Sequence, residues 1–296
     1  MTPSGILVVD KPAGITSHDV VSRVRRILGT RKVGHAGTLD PMATGVLVIG
    51  VERATRLLGH LALRDKRYLA TIRLGASTVT DDIEGDVIRT ADSDALAEVD
   101  DAAVRAGLVR LTGLIEQRPS SVSAVKIDGR RSYDRVRSGE QVELPARSVE
   151  ITRIDVLGIR RTDSSVDIDV DVECSTGTYV RAIARDLGDA LSTGGHLTSL
   201  RRTRVGPFGI SAARTLEQLE SDGPAAVLSM REVAASCFPT WSLASDDAVA
   251  VRNGRRIPWA GPAVAGGPVA LLDATGEFLA LASDDDGDAR YAAVFA

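Results

Sequence analysis

Between Val166 and Cys174 the chain alternates without a break: Val166, Ile168, Val170, Val172 and Cys174 are separated by Asp167, Asp169, Asp171 and Glu173. A strict period of two describes an extended strand with one face on a core and an acidic face outside it. On that reading Cys174 is a small buried hydrophobe. The only other cysteine, Cys237, is far away in sequence, so neither a disulfide framework nor a CxxC-type metal site is supported.

Other segments share this texture. GILVVDKP, VLVIGV, RYLATIRLG, VEITRIDVLGI and LTSLRRTRVGPF read as strands, the first entering a turn. SHDVVSRVRRILG reads as a helix with Ser17 as N-cap, Val20, Val21, Val24, Ile27 and Leu28 on its apolar face, and Gly29 as its stop. Arg23 and Arg26 occupy the opposite face. TRLLGHLAL and TYVRAIARDLGDAL supply further helices, and His60 on the first of them reads as a packed residue. An acidic segment of helical periodicity precedes RPSSVSAVKIDGRRSYDRVRSGE, a polar, basic stretch that reads as an exposed excursion. The texture changes again near Pro239: PVALLDATGEFLALA is a hairpin with its turn at Ala274 to Gly276, and RYAAVF adds a strand.

The 296 residues, 44% of them hydrophobic, accommodate one large and one small domain. We place the boundary between 1–239 and 240–296, with the excursion at about 118–147. No stretch approaches the roughly 20 apolar residues of a membrane helix, and the first residues lack a signal-peptide layout. A cytoplasmic protein with no membrane partner is expected.

The net charge of −4 is unevenly distributed: residues 1–75 carry +7 and residues 118–147 and 174–206 carry +3 each, against −7 over 76–117 and −4 over 240–296. Local basic surface is what phosphate contacts need, whatever the total. The blocks alone fit an ordinary solvated surface equally well. Aromatic residues are 3% of the chain, yet Tyr68, Tyr133 and Tyr179, three of its four tyrosines, fall in the basic stretches. A base stacked on such a ring gains about 1 to 3 kcal/mol, comparable to the cost of unstacking a nucleotide. Tyr68 also shares a strand face with Ala70, Ile72 and Leu74, a pattern that fits a core role equally well.

The loop GHAGTLDPMATG places Gly34, Gly37, Pro41 and Gly45 around one carboxylate, Asp40. Asp-Pro in general marks a turn. Here the glycines would let a large ligand approach the backbone closely. Competing chemistries have no support: there is no phosphate-cradling GxxxxGK[ST], no GxGxxG, no GxSxG elbow, and the histidines at 18, 35, 60 and 196 do not fall at metal-ligand spacing. No metal site is expected.

GHAGTLDPMATGVLVIG resembles the catalytic motif of the bacterial tRNA pseudouridine-55 synthases, the TruB family. The resemblance continues in order through DKPAGITS, KRYLATIRLG, SAVKIDGRRSYDRVRSG, CSTGTYVRAIARDLG and HLTSLRRTRVG, and so spans essentially the whole chain. It implies an α+β pseudouridine synthase fold, with a mixed, largely antiparallel central sheet flanked by helices, and a small C-terminal β-rich module of the PUA type. It also implies isomerisation of uridine 55 in the tRNA T-loop with neither cofactor nor metal; nothing in the sequence demands an oligomer, so a monomer is expected.

By position, the resemblance makes Asp40 the nucleophile, Tyr68 the ring that stacks on the target base, and Arg181 the partner of the catalytic aspartate. Such a partner is expected to hold the carboxyl below its usual range by about 1 to 3 pH units. His35 matches the histidine associated with base flipping, Tyr179 and Leu200 match further pocket residues, and the region from Lys126 to Arg137 matches an insert that closes over RNA. RNA contacts are expected at Lys11, Lys126, Arg130, Arg131, Arg201 and Arg202. Val122, where an aromatic is expected, and Ser120, where a second proline is common, depart from the pattern. A T-loop suits such an enzyme, because bases in loops can be splayed out and flipped. Two other readings remain open: an RNA-binding or tRNA-folding protein without relevant catalysis, and a synthase acting on ribosomal or guide-directed RNA. The joint presence of Asp40 and Arg181 favours the enzyme over the binder.

Overall fold

The structure, a computed structural model, describes residues 2–120, 144–264 and 267–296, and the backbone of 126–127 and 130–131. Its strands begin with β1 (Gly5–Lys11), β2 (Val33–His35), β3 (Thr44–Val51), β4 (Lys66–Leu74), β5 (Ala76–Thr78), β6 (Val87–Thr90) and β7 (Gly113–Gln117). Then come β8 (Lys126–Ile127), β9 (Arg130–Arg131), β10 (Arg147–Arg161), β11 (Val166–Cys174), β12 (Gly195–Val205), β13 (Phe208–Gly209) and β14 (Leu228–Ser229). The main sheet runs β14-β1-β3-β12-β4-β11-β10-β7, with β2 beside β3 and β13 beside β12. Every neighbouring pair is antiparallel except β3 with β12, so the sheet is mixed and largely antiparallel, as expected.

Pattern follows burial. β1 and β3 are almost uniformly apolar because both of their faces are covered. Leu7, Val9, Leu47 and Ile49 join a core with α1 (Ser17–Leu28) and the helix Val180–Ala190. Ile6, Val8, Val46 and Val48 join a second core on the other side. β11 alternates because only one of its faces is packed. Val166, Ile168, Val170 and Cys174 are buried, while the acidic residues are roofed by arginines: Arg73 on Asp167 at 2.7 Å, Arg160 on Asp169, Arg67 on Asp171 and Arg204 on Glu173.

The β5–β6 hairpin opens the acidic segment that sequence periodicity suggested was helical, and α2 (Leu58–Ala62), α3 (Ser93–Ala97), α4 (Asp101–Arg110) and α5 (Val180–Ala190) complete this part of the chain. Three short helices were not legible beforehand: α6 (Leu216–Asp222), α7 (Met230–Cys237) and α8 (Ser245–Arg252). The N-cap of α1 is Thr16, reciprocally capped with Asp19, in place of Ser17. Gly29 ends α1 in the left-handed region, as read from the sequence.

A second sheet, β15 (Thr240–Ser242), β16 (Val269–Leu272), β17 (Phe278–Asp285) and β18 (Asp288–Val294), is ordered as numbered. It shares the second core: Ala270, Phe278, Leu281 and Phe295 pack with Ile6, Val8, Val46 and Val48. Among the described residues no helix is long and apolar enough to cross a membrane. Of the expected insert, Val122, Tyr133 and the side chains of Lys126, Arg130 and Arg131 lie outside the described residues.

Candidate active site

Asp40 stands in the loop between β2 and β3. The loop is tied down by its own main chain and its neighbours: Ala43 N–H donates to Asp40 O at 3.1 Å, and Gly14 N–H donates to Pro41 O at 2.9 Å. Ser17 Oγ accepts from Leu39 N–H at 2.8 Å and donates to Leu39 O at 3.1 Å. This is what the hydroxyl does in place of capping α1. Gly45 closes the loop with a φ of +99°, and a Cβ there would stand 2.2 Å from the carbonyl oxygen of Arg202, so the crossing of loop and β12 admits only glycine.

The buried Arg181, in the first turn of α5, meets the carboxylate side-on, its Nε 3.1 Å from Asp40 Oδ2 and its Nη2 3.3 Å from Oδ1. A planar fork facing a planar carboxylate fixes orientation as well as charge. The same guanidinium also serves the β5–β6 turn: Nη1 lies 3.3 Å from Asp82 Oδ2 and donates to Thr80 O at 2.7 Å. Asp82 is itself buried, accepting from Thr80 Oγ1 at 2.5 Å and Glu84 N–H at 3.0 Å. Sequence reading missed Asp82; its signal was a run of carboxylates, TDDIEGD, that looked like solvated surface.

One cation therefore serves two carboxylates, and the expectation that pairing with Arg181 would leave Asp40 below its usual range is corrected, because desolvation outweighs the arginine. Although 35% of the Asp40 side chain is open to solvent, its carboxyl is closely surrounded by protein atoms. That desolvation lifts its pKa above the usual value; Arg181 opposes the rise and Asp82 adds to it. Glu84 is lifted too, by burial first and then by Asp82.

Tyr68 and Leu200 are buried on adjacent strands and belong to the main core, on the face that also receives α5. Burial pushes the Tyr68 hydroxyl above its ordinary value, keeping it neutral. Tyr179 is half-buried just before α5, with its main chain clasped by Gln117 at 2.8 and 3.1 Å and Arg147 5.7 Å from its ring centre. His35 is half-buried on β2 opposite Ile49, immediately before the loop.

The expected phosphate-binding surface needs two corrections. Lys11 is fully buried, its ammonium donating to the carbonyls of Ile15 at 2.6 Å, Pro12 at 2.9 Å and Pro41 at 3.2 Å, and burial lowers its pKa to about 8. Arg202 is 1% exposed and donates to three main-chain carbonyls, with the Tyr68 hydroxyl beside it as a further hydrogen-bond partner. Neither presents charge to a ligand surface. Arg201 is accessible but holds Asp10 at 2.7 Å.

Models of three known regions match consecutive parts of the chain. "TruB family pseudouridylate synthase (N terminal domain)" matches residues 25–180, "tRNA pseudouridylate synthase B C-terminal domain" matches 181–229, and "tRNA Pseudouridine synthase II, C terminal" matches 238–296. The tRNA pseudouridine synthase B of Cutibacterium acnes is 56% identical over 283 residues, 96% of this chain and 94% of that one. Its counterpart in Streptomyces griseus is 53% identical over 300 residues, 100% and 98% of the two chains. Among solved structures, one of a Cbf5-Nop10-Gar1 complex has a TM-score of 0.71 at 29% identity, covering 94% of this chain and 77% of that one. An H/ACA RNP bound to a substrate RNA containing 2'-deoxyuridine gives 0.69 at 27% identity, with the same coverages.

Proposed function

The chain belongs to the TruB family of pseudouridylate synthases, and from that premise we propose that it converts uridine 55 in the T-loop of tRNA to pseudouridine with Asp40 as nucleophile. The reaction is an isomerisation. The bond between C1′ of the ribose and N1 of uracil breaks, the detached base turns, and a bond between C1′ and C5 forms. The C5 proton leaves to solvent and N1 gains one, so the balance needs no redox partner or cofactor.

The observation that carries this reading is the side-on Asp40–Arg181 pair at the mouth of an apolar wall made by Tyr68 and Leu200. A carboxylate aimed by a guanidinium is oriented for attack, and the neutral ring beside it suits a flipped base. The RNA side of the cleft is assigned to Tyr179, Arg201 and the insert with Lys126, Arg130 and Arg131, with His35 at the loop entrance assisting base extrusion. We assign residues 1–239 to catalysis and 240–296 to a PUA-like RNA-binding module, in a cytoplasmic monomer.

The test is tritium release from unmodified tRNA labelled at uracil C5, run with wild type and Asp40→Asn. About one tritium per tRNA from wild type and none from the variant is expected. Binding of tRNA by both proteins with release by neither would hand the assignment to an RNA-binding or tRNA-folding role.

A further inference from the structure

Arg202 is the bulkiest of the fully buried side chains, and it has no ion-pair partner among the described residues. A guanidinium taken out of water needs an acceptor for its N–H groups. Here three main-chain oxygens accept: Nε donates to Val46 O at 2.7 Å, Nη2 to Gly37 O at 3.0 Å and Nη1 to Thr38 O at 3.3 Å, and the Tyr68 hydroxyl is a further hydrogen-bond partner. Val46 lies on β3, whereas Gly37 and Thr38 lie in the loop just before Asp40. The backbone of Arg202 is pinned as well, paired with Gly45 on one side and with Tyr68 on the other. One residue thus touches the start of the catalytic loop, its end and the strand that carries the aromatic ring.

We propose that Arg202 is a positioning residue, whose three-point fork fixes the Gly37–Thr38 segment against β3 and β4 and so sets where the Asp40 carboxylate stands relative to the Tyr68 ring. This rests on the isomerase reading. Lysine could not replace the fork, because an ammonium's donors all radiate from one nitrogen, whereas these three carbonyls are met by three separate nitrogens of the planar guanidinium. Methionine could fill the volume but would leave all three carbonyls without their donor.

Charge is a second, separable contribution. The groups facing Asp40 are Arg181 from α5, Asp82 and Glu84 from the β5–β6 turn, Lys11 from β1 and Arg202 from β12. Removing the Arg202 cation raises the Asp40 pKa further, so the acid limb of the rate profile moves to higher pH. Replacing it with lysine keeps the charge and leaves that limb in place.

The experiment measures tritium release by the full chain over a pH series for wild type, Arg202→Lys and Arg202→Met, with thermal melts of each. Arg202→Lys is expected to lose about 10- to 100-fold in kcat with KM within about twofold of wild type and an unmoved acid limb. Arg202→Met is expected to lose more and to show the limb displaced upward. The proposal is overturned by a kcat within about twofold of wild type in both variants, or by a raised KM at unchanged kcat, the signature of an RNA contact. It is also overturned if neither variant folds at the assay temperature, which would make Arg202 a residue of the fold alone. Should Arg202→Met alone fail to fold, Arg202→Lys decides. A wild-type chain that releases no tritium would instead bring down the isomerase reading, and the positioning role with it.

Discussion

Arginine–aspartate pairing has opposite consequences in two regions of this molecule. On the outer face of β11, Asp167, Asp169 and Asp171 each receive their own arginine, and each carboxyl is held below its ordinary range, chiefly by those hydrogen bonds. In the cleft, Asp40 and Asp82 divide one guanidinium, and desolvation lifts Asp40 above its ordinary range. The residue types are the same. What differs is how many arginines there are per carboxylate and which effect leads, hydrogen bonding on the sheet face and desolvation around Asp40. The sheet face uses the pairing for cohesion, whereas the loop leaves the Asp40 carboxyl more basic than an ordinary aspartate, which suits the nucleophilic role proposed for it.

The most severe way to break the contrast is to remove the shared cation. Arg181→Met leaves two buried carboxylates side by side, and kcat for tritium release should fall by roughly 100- to 1000-fold, as when a buried charge-stabilising donor is deleted. Its acid limb should also move to higher pH, because the largest of the influences that lower the Asp40 pKa is gone. A rate profile with the limb at or below its wild-type position would refute the shared-cation account.

Removing the competitor sharpens the same contrast. Asp82→Asn takes away a charge that raises Asp40, so the acid limb should move to lower pH, the reverse of Arg181→Met. The plateau rate should still fall, by roughly tenfold, because the β5–β6 turn is disturbed beside the reacting group. The opposite displacement of the two limbs is the observation to seek.

What was legible in the sequence follows the same division. The β11 alternation predicted its packed and acidic faces, and GHAGTLDPMATG pointed to Asp40, because both signals are local. Asp82 was invisible, since its meaning comes from a hairpin folding across the sheet to reach a helix that begins 98 residues later. Lys11 and Arg202 misled for a related reason: basic residues are usually surface residues, and nothing in the pattern says that main-chain carbonyls, near in sequence for most of the Lys11 contacts and distant for those of Arg202, will satisfy them. Ser17 looked like a cap because capping is local, yet its hydroxyl is engaged by Leu39.

The sheet face supplies the mildest test. Asp167→Asn removes one carboxylate from the roof of β11, where Arg73 remains partly open to solvent. A pair so exposed contributes less than about 1 kcal/mol, so the melting temperature at neutral pH should drop by only a few degrees. The sign of its pH dependence is fixed. The folded carboxyl titrates below the usual 3.8, so the contribution is present above that value and is lost as pH falls through the folded pKa. Wild type and Asp167→Asn should therefore converge in stability under acid, while tritium release at neutral pH stays at the wild-type rate. For Asp40→Asn the sign reverses. A carboxyl whose pKa is raised on folding costs stability above that pKa, so at neutral pH this variant should melt no lower than wild type while releasing no tritium. A protein in which Asp40→Asn melts lower and Asp167→Asn does not would have its cohesive and its reactive aspartates the other way round.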